Sequence, residues 1–208
     1  VHSGLDLGVR RGEILCVVGP SGCGKSVLLR EIVGLDKPTE GKISFPIHEA
    51  EQREPRLGVM FQDGALFSNL TVREHTHLSA ELRAEIAGLK LSMAGLGPDA
   101  HHKKPAQISG GMRKRAAVAR AIALDPEILF LDEPTAGLDP ISAENFDRMT
   151  EELARSLGLT VFLVTHDLDT LHAICDRVAV LYGGKVAAIG AIPELTAGAQ
   201  GWVKEYFS

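Results

Sequence analysis

Gly19-Pro20-Ser21-Gly22-Cys23-Gly24-Lys25-Ser26, or GPSGCGKS, fits the spacing G-x-x-x-x-G-K-[ST]. The residues on either side give the loop its context. Glu13 to Val18 (EILCVV) is a short apolar run with β-branched members, which predicts a buried strand. The stretch from Val27 onward, VLLREIVGL, has helical spacing with Leu28, Leu29 and Ile32 as its apolar stripe. Glycines between the two allow unusual φ values and leave no Cβ to block a phosphate. A helix that starts directly after them aims unpaired N–H groups into the loop. On this reading Gly19, Pro20, Ser21, Gly22, Cys23, Gly24, Lys25, Ser26 and Val27 form a nucleotide-binding loop. Lys25 meets the β/γ-phosphates, and the Ser26 hydroxyl reaches Mg²⁺.

Working outward, further apolar runs end in polar residues. LGVMF (57–61) delivers Gln62, EILFL (127–131) delivers Asp132-Glu133, and TVFLV (160–164) delivers Thr165-His166-Asp167. Open α/β sheets bind ligands beyond the carboxyl ends of their strands. Asp132 therefore reads as a Mg²⁺ holder and Glu133 as a general base for an attacking water. Gln62 reads as a residue that orients that water or senses the γ-phosphate, and as a contact of the metal, and His166 as a γ-phosphate contact. Singly, each is more simply the first residue of a loop; the ordered set carries the reading.

The rest of the chain supplies the frame. Continuous apolar strands alternating with helices imply a mainly parallel sheet covered on both faces. Residues 1–12 read as an edge strand, Lys42–Phe45 as a short strand and 46–56 as a surface loop. Leu82, Ile86, Leu89, Met93 and Leu96 are spaced as the buried face of a helix, with Ser79 as its N-cap, Glu81 in its first turn and Gly97-Pro98 as its stop. A second helix follows Ile108-Ser109-Gly110-Gly111-Met112, and Arg113, Lys114 and Arg115 read as its solvated face. A helix over 141–157 turns Phe146, Met149 and Leu153 inward and pairs Glu144 with Arg148 and Glu151 with Arg155. Gly183-Gly184 marks a two-residue hairpin turn. Trp202, Val203, Tyr206 and Phe207 cluster at the end of a helical tail, read as packing on their own domain or on a partner.

Composition narrows the classes. The 208 residues, 45% hydrophobic and 24% charged, make one domain with an inserted lobe: core 1–69 and 125–190, helical lobe about 70–124, tail about 191–208. A net charge of −5 argues against a nucleic-acid partner. No apolar run approaches the ~18 residues that span a bilayer. No signal-peptide pattern stands at the start, although the sequence opens on Val1 rather than Met. Cys16, Cys23 and Cys175 are odd in number and scattered, which reads as reduced, intracellular usage. The histidines, including His75, His77 and His101-His102, read as solvated rather than metal-binding.

Taken together, GPSGCGKS (19–26), FQDG (61–64), ISGGM (108–112), ILFLDEPTAGLDP (128–140) and VTHD (164–167) resemble, in order, the motifs of the ATP-binding cassette (ABC) ATPases. ISGGM is the discriminating piece, since other phosphate-loop ATPases lack it. The resemblance implies an α/β fold: a P-loop NTPase core with a mostly parallel sheet, antiparallel β elements at the N-terminus and an inserted α-helical lobe. It implies ATP and Mg²⁺ as cofactors and a second ATPase subunit, head to tail. Ser109, Gly110 and Gly111 of one copy then cover the nucleotide of the other, and Asp139 communicates across the dimer. A Ser-Gly-Gly at a helix start fits this use, being a second anion site. Transmembrane permease subunits follow as partners, docking on 64–78.

A narrower resemblance lies in FQDGALFSNLTV, ISGGMRKRAAVARAIAL, GLDPISA and GWVKEYF. These stretches are similar to ATPases of MCE-associated lipid transporters, which implies a periplasmic MCE lipid-binding protein and the cytoplasmic face of a bacterial inner membrane. The rival class is a non-transport ABC ATPase, such as a cluster-assembly factor, and co-purification with a permease separates the two. The sequence departs from the family at Ile108 and Met112, in the absence of any aromatic from 1–18, and in short stretches at 46–56 and 71–78.

Overall fold

The computed structural model describes residues 1–62, 65–66, 72, 83–198 and 206–207. Within them one sheet forms, in the order β2-β3-β4-β1-β5-β6. Its strands are β1 (Ile14–Val18), β2 (Leu57–Met60), β3 (Ile128–Asp132), β4 (Thr160–Val164), β5 (Arg177–Tyr182) and β6 (Lys185–Gly190). β1 to β5 run parallel, and β6 returns antiparallel to β5. The central β1 and β4, ILCVV and TVFLV, are buried along their whole length. Strands without a polar side have no face to offer water, so helices cover both sides.

Side chains alternate along each strand, which splits the core into two. Leu15, Val17, Phe130 and Phe162 pack beneath Leu28 and Leu29 of α1 (Lys25–Ile32). Ile14, Cys16, Leu129, Leu131 and Leu163 face the opposite layer, with α4 (Gly110–Ala121) and α5 (Pro140–Leu157). α5 contributes Phe146, Met149 and Leu153 as expected, each adding roughly 1.5–3 kcal/mol of apolar burial. α6 (Leu168–Ile174) packs on α5 and leads into β5. The β5–β6 hairpin turns at Gly183 (φ 59°) and Gly184 (φ 78°), both in the left-handed region that a tight two-residue turn requires. α7 (Ile192–Gly198) packs against β6.

Several local expectations are corrected. Residues 1–12 form no strand; Gly4 turns at φ 65°, and the segment lies on the sheet through Leu5 and Leu7. The antiparallel pairing is therefore that of β5 and β6. Residues 42–45 are not a strand either. Pro46 cannot donate to a ladder and instead opens the short helix α2 (Pro46–Ala50). In α3 (Arg83–Met93) the buried face is Ala87, Lys90 and Leu91, while Leu89 is 59% exposed. α3 packs on the alanine-rich α4, so small side chains and the stem of Lys90, paired with Asp125, make the contact that the leucine spacing had suggested.

Cys16 and Cys175 are joined by a disulfide, 159 residues apart in sequence, against the expectation of unpaired thiols. α6 brings Cys175 back over β1, and Asp176 next to it exchanges hydrogen bonds with the Ile14 backbone. Cys23 stays free. On α5, Arg155 reaches Asp176 at 2.7 Å and Glu151 only at 3.9 Å, while Arg148 turns to Asn145. Ser79, Glu81, Leu82, His75, His77, Trp202, Val203 and most of the expected docking segment 64–78 lie outside the described residues.

Candidate nucleotide site

Because β1 to β4 run parallel, their carboxyl ends open on one edge, with neighbouring strands roughly 4.8 Å apart. The order β2-β3-β4-β1 then lines up Gln62, Asp132-Glu133, His166 and the loop 19–26 side by side. Residues up to 147 apart in sequence become neighbours through strand pairing alone.

The loop is shaped by its glycines. A Cβ on Gly19 would collide with the carbonyl oxygen of Leu181, so β5 leaves no room for another residue there. Gly24 sits at φ 101° as the N-cap of α1, a left-handed conformation that glycine adopts at little cost. Lys25 folds its ammonium back onto the loop, donating to the carbonyls of Gly19 (2.8 Å) and Pro20 (3.2 Å). Ser26 Oγ donates to Asp132 Oδ1 at 3.2 Å, joining loop to β3. Burial raises the Asp132 pKa, while the Ser26 hydrogen bond and the charges of Lys25 and Lys114 pull it back.

Glu133 directly follows β3 in a left-handed conformation, φ 47°. That costs a non-glycine residue about 1–3 kcal/mol unless its surroundings hold it. They do: its N–H donates to the Val164 carbonyl at 2.8 Å. Its Oε2 lies 2.7 Å from His166 Nδ1. The Glu133 side chain is 14% exposed and that of His166 is 68% exposed, so the imidazole stands over the carboxylate on the solvent side. His166 also lines a groove of about 540 Å³ with Thr135, Leu138 and Asp167.

Ser109 caps α4, its Oγ accepting from Met112 N–H at 3.2 Å, and Ser109 and Gly110 are exposed. Asp139 caps α5 by accepting from Ser142 N–H at 3.0 Å, which lowers its pKa. The structure thus brings Lys25, Ser26, Asp132, Glu133 and His166 together. Gln62 stands at the same edge with its side chain exposed, whereas Ser109, Gly110, Gly111 and Asp139 lie at helix starts.

Two residues enter that the sequence reading had not assigned to this site. Lys114 is no solvated side chain: its Nζ donates to the Gln62 carbonyl at 2.7 Å and the Glu133 carbonyl at 3.2 Å. Its neighbours are also tied to backbone, Arg113 to Ile108 and Arg115 to Ala94 and Asn145. Spacing places Lys114, four residues after Gly110, on the same helix face, but it names neither carbonyl. Tyr206, with Phe207, packs on the chain's own core, its hydroxyl 3.5 Å from the His166 carbonyl. Burial, with Glu133, Asp167 and Cys23 nearby, pushes its pKa up to about 12.

Comparison with known proteins adds a family to this geometry. Residues 2–136 match the family model described as ABC transporter. The chain is 41% identical over 201 residues to the sulfate/thiosulfate import ATP-binding protein CysA 2 of Chromobacterium violaceum, covering 91% of this chain and 54% of that protein. It is 38% identical over 211 residues to the intermembrane phospholipid transport system ATP-binding protein MlaF of Haemophilus influenzae, covering 94% and 80%. It is 38% identical over 209 residues to the methionine import ATP-binding protein MetN of Caulobacter vibrioides, covering 93% and 62%. The chain thus spans about half to four fifths of the length of these relatives. Among solved structures, the dimeric MJ0796, a bacterial ABC transporter cassette, superposes with a TM-score of 0.80 at 32% identity, covering 92% of this chain and 90% of that one. Its post-hydrolysis state bound to ADP and Pi superposes with 0.78 at 33% identity, with the same coverage.

Proposed function

The chain belongs to the ABC transporter family of ATPases, and from that premise we propose that it is the motor subunit of a membrane transporter whose cargo is lipid. The observation that carries the motor reading is the shared strand edge that holds the phosphate loop, Ser26–Asp132 and Glu133–His166. On this reading the loop N–H groups and Lys25 receive the β- and γ-phosphates of ATP. Ser26 Oγ and Asp132 Oδ1, one hydroxyl and one carboxylate oxygen 3.2 Å apart, are a donor set that fits Mg²⁺. Gln62 is the further residue at this edge that reaches the metal or the attacking water. Bound there, Mg²⁺ neutralises charge on the phosphate oxygens.

Glu133 accepts the proton of the attacking water, and His166, whose Nδ1 lies 2.7 Å from that carboxylate, is the γ-phosphate contact beside it. ABC cassettes work as dimers with transmembrane partners, and the dimeric relative supports the same arrangement here. The Ser109-Gly110-Gly111 start of α4, exposed at Ser109 and Gly110, then serves the partner's nucleotide, and Asp139 reaches across. The work of these groups is positioning and electrostatics.

The lipid reading rests on the stretches FQDGALFSNLTV and GLDPISA and on the 80% of the phospholipid-system relative that the chain spans. It assigns permease subunits and a periplasmic MCE lipid-binding protein as partners at the cytoplasmic face of a bacterial inner membrane. Among the described residues no helix is long and apolar enough to cross a membrane.

Glu133→Gln tests the motor: ATP binding persists, turnover falls at least about a hundredfold, and the ATP-bound dimer accumulates. Turnover at the wild-type rate overturns Glu133 as base. Co-purification tests the cargo. A permease with an MCE protein supports it, and ATPase stimulation by sulfate or methionine with its binding protein, or a complex without a permease, sinks it.

A further inference from the structure

We propose that Lys114 is a positioning residue that ties α4 to the catalytic end of its own chain, so that the helix start offered to the partner's nucleotide moves with Gln62 and Glu133. The inference rests on the reading of Gln62 and Glu133 given above and extends it to communication between the two sites of a dimer.

The geometry is specific. One ammonium bridges the carbonyl oxygen of Gln62, just after β2, and that of Glu133, just after β3. The two strands pair in parallel, so these carbonyls sit at one edge, and Lys114 closes the edge from the helix side. Both bonds are charge-assisted, and each is made to a residue with a proposed role at the γ-phosphate. Neither carbonyl belongs to the regular part of a strand; the Glu133 carbonyl also accepts from Ala136 N–H at 3.2 Å, a bond within its own turn, whereas Lys114 is the group that joins it to Gln62 and to α4. The Glu133 carbonyl matters more than an ordinary one, because the residue stands at φ 47°, and its backbone orientation decides where its carboxylate points.

The other end of the lever is also on the page. Ser109 caps the helix that carries Lys114. Five residues at 1.5 Å rise put the two about 7.5 Å apart along one rigid helix. Arg115 fastens the same helix to α3 through the Ala94 carbonyl and to α5 through the Asn145 carbonyl. A shift of Gln62 or Glu133 on γ-phosphate binding or release is thus passed by Lys114 to the Ser109 face. A solvated lysine in the same place would pass nothing.

The test uses the full chain with Lys114→Met and Lys114→Arg. Lys114→Met keeps the stem and removes both donors; Lys114→Arg keeps donors and charge. For Lys114→Met the expected result is kcat down about tenfold, the loss of charge-assisted positioning bonds. KM and Mg²⁺-free ATP affinity stay within about twofold, because the phosphate loop is untouched. In the Glu133→Gln background the same change raises the ATP concentration needed to form the closed dimer, read by size-exclusion chromatography. Lys114→Arg restores most of both effects. A wild-type kcat in Lys114→Met, with Glu133→Gln stalled as expected, overturns the proposal and leaves the motor reading standing. Loss of rate in both variants together with a lowered thermal midpoint also overturns it, since that is a merely structural role. Normal turnover by Glu133→Gln strikes the motor reading instead, so the two failures are distinct.

Discussion

Asp147→Asn should change how the stability of this domain depends on pH. Asp147 lies on α5, 4% exposed, where Thr170 on α6 donates its hydroxyl to Oδ2 at 2.7 Å and Oδ1 has no partner among the described residues. Burial, with Asp167 and Asp169 nearby, pushes its pKa up from 3.8 to about 6, and the Thr170 bond only partly opposes this. The folded state therefore keeps a proton between about pH 4 and 6 that the unfolded chain has released. With more protons on the folded state, stability falls as pH rises through that window and is level above it. The gap between 3.8 and about 6 corresponds to about 3 kcal/mol.

Asn cannot ionise, so the variant lacks this slope. Its amide oxygen still accepts from Thr170, while its NH₂ is left buried without a partner. That penalty is the same at every pH and cancels when the difference between variant and wild type is compared across pH. Urea unfolding at pH 4, 5, 6 and 7.5 should show the variant gaining about 2.4 kcal/mol on the wild type from the lowest pH to the highest, the remainder of the gap lying below pH 4. Parallel stability profiles would refute the reasoning and show that Oδ1 is hydrated. The helices that this pair clamps begin at Asp139 and Asp167, beside the candidate site.

Other outcomes follow from single contacts. Lys25→Ala should abolish ATP binding measured by calorimetry while leaving the thermal midpoint nearly unchanged, since among the described residues Nζ bonds only to loop carbonyls; retained micromolar binding would contradict its place on the phosphates. Gly58→Ala should cost about 1–3 kcal/mol in chemical unfolding, because a Cβ there meets the Ala121 carbonyl at the close approach of β2 and α4; an unchanged midpoint would mean that α4 can move away. Glu127→Ala should loosen segment 46–56, whose His48, Arg53 and Arg56 N–H all bond that carboxylate. Hydrogen bonds from Arg53 hold the Glu127 pKa well below the usual carboxylate range. Its contribution is thus full above the unfolded pKa and fades as pH falls toward the folded one. The readout is the excess proteolysis of that segment in the variant over the wild type, larger at neutral pH than at pH 3, and equal protection in variant and wild type at neutral pH would count against it.

Legibility differed by element. ILCVV, ILFL and TVFLV announced themselves because a strand buried on both faces leaves nothing but apolar residues to read. α5 was equally plain, since its periodicity and its burial coincide. α3 misled in part: Met93 and Leu96 pack inward as their spacing implies, but Leu89 is exposed and the contact with α4 runs through alanines and a lysine stem. The N-terminal segment alternated like a strand, but its backbone bonds are scattered, Ser3 N–H to Gly184 and Gly12 N–H to Thr160, and build no ladder. Pro46 was the overlooked sign that 42–45 would lead into a helix.

The sequence by itself determined the chemistry: the phosphate loop, the acidic pair after β3, the histidine after β4 and the Ser-Gly-Gly start of α4 are all local patterns of residue type. Only the tertiary structure decided which of these groups meet. Strand order brings Ser26 to Asp132, and the left-handed turn at Glu133 presents its carboxylate to His166. The same holds for the least conspicuous contacts, Lys114 on two carbonyls and Cys16 on Cys175. Backbone carbonyls are identical at every residue, so no pattern of side chains can say which lysine will find them; that depends on where the chain has already folded.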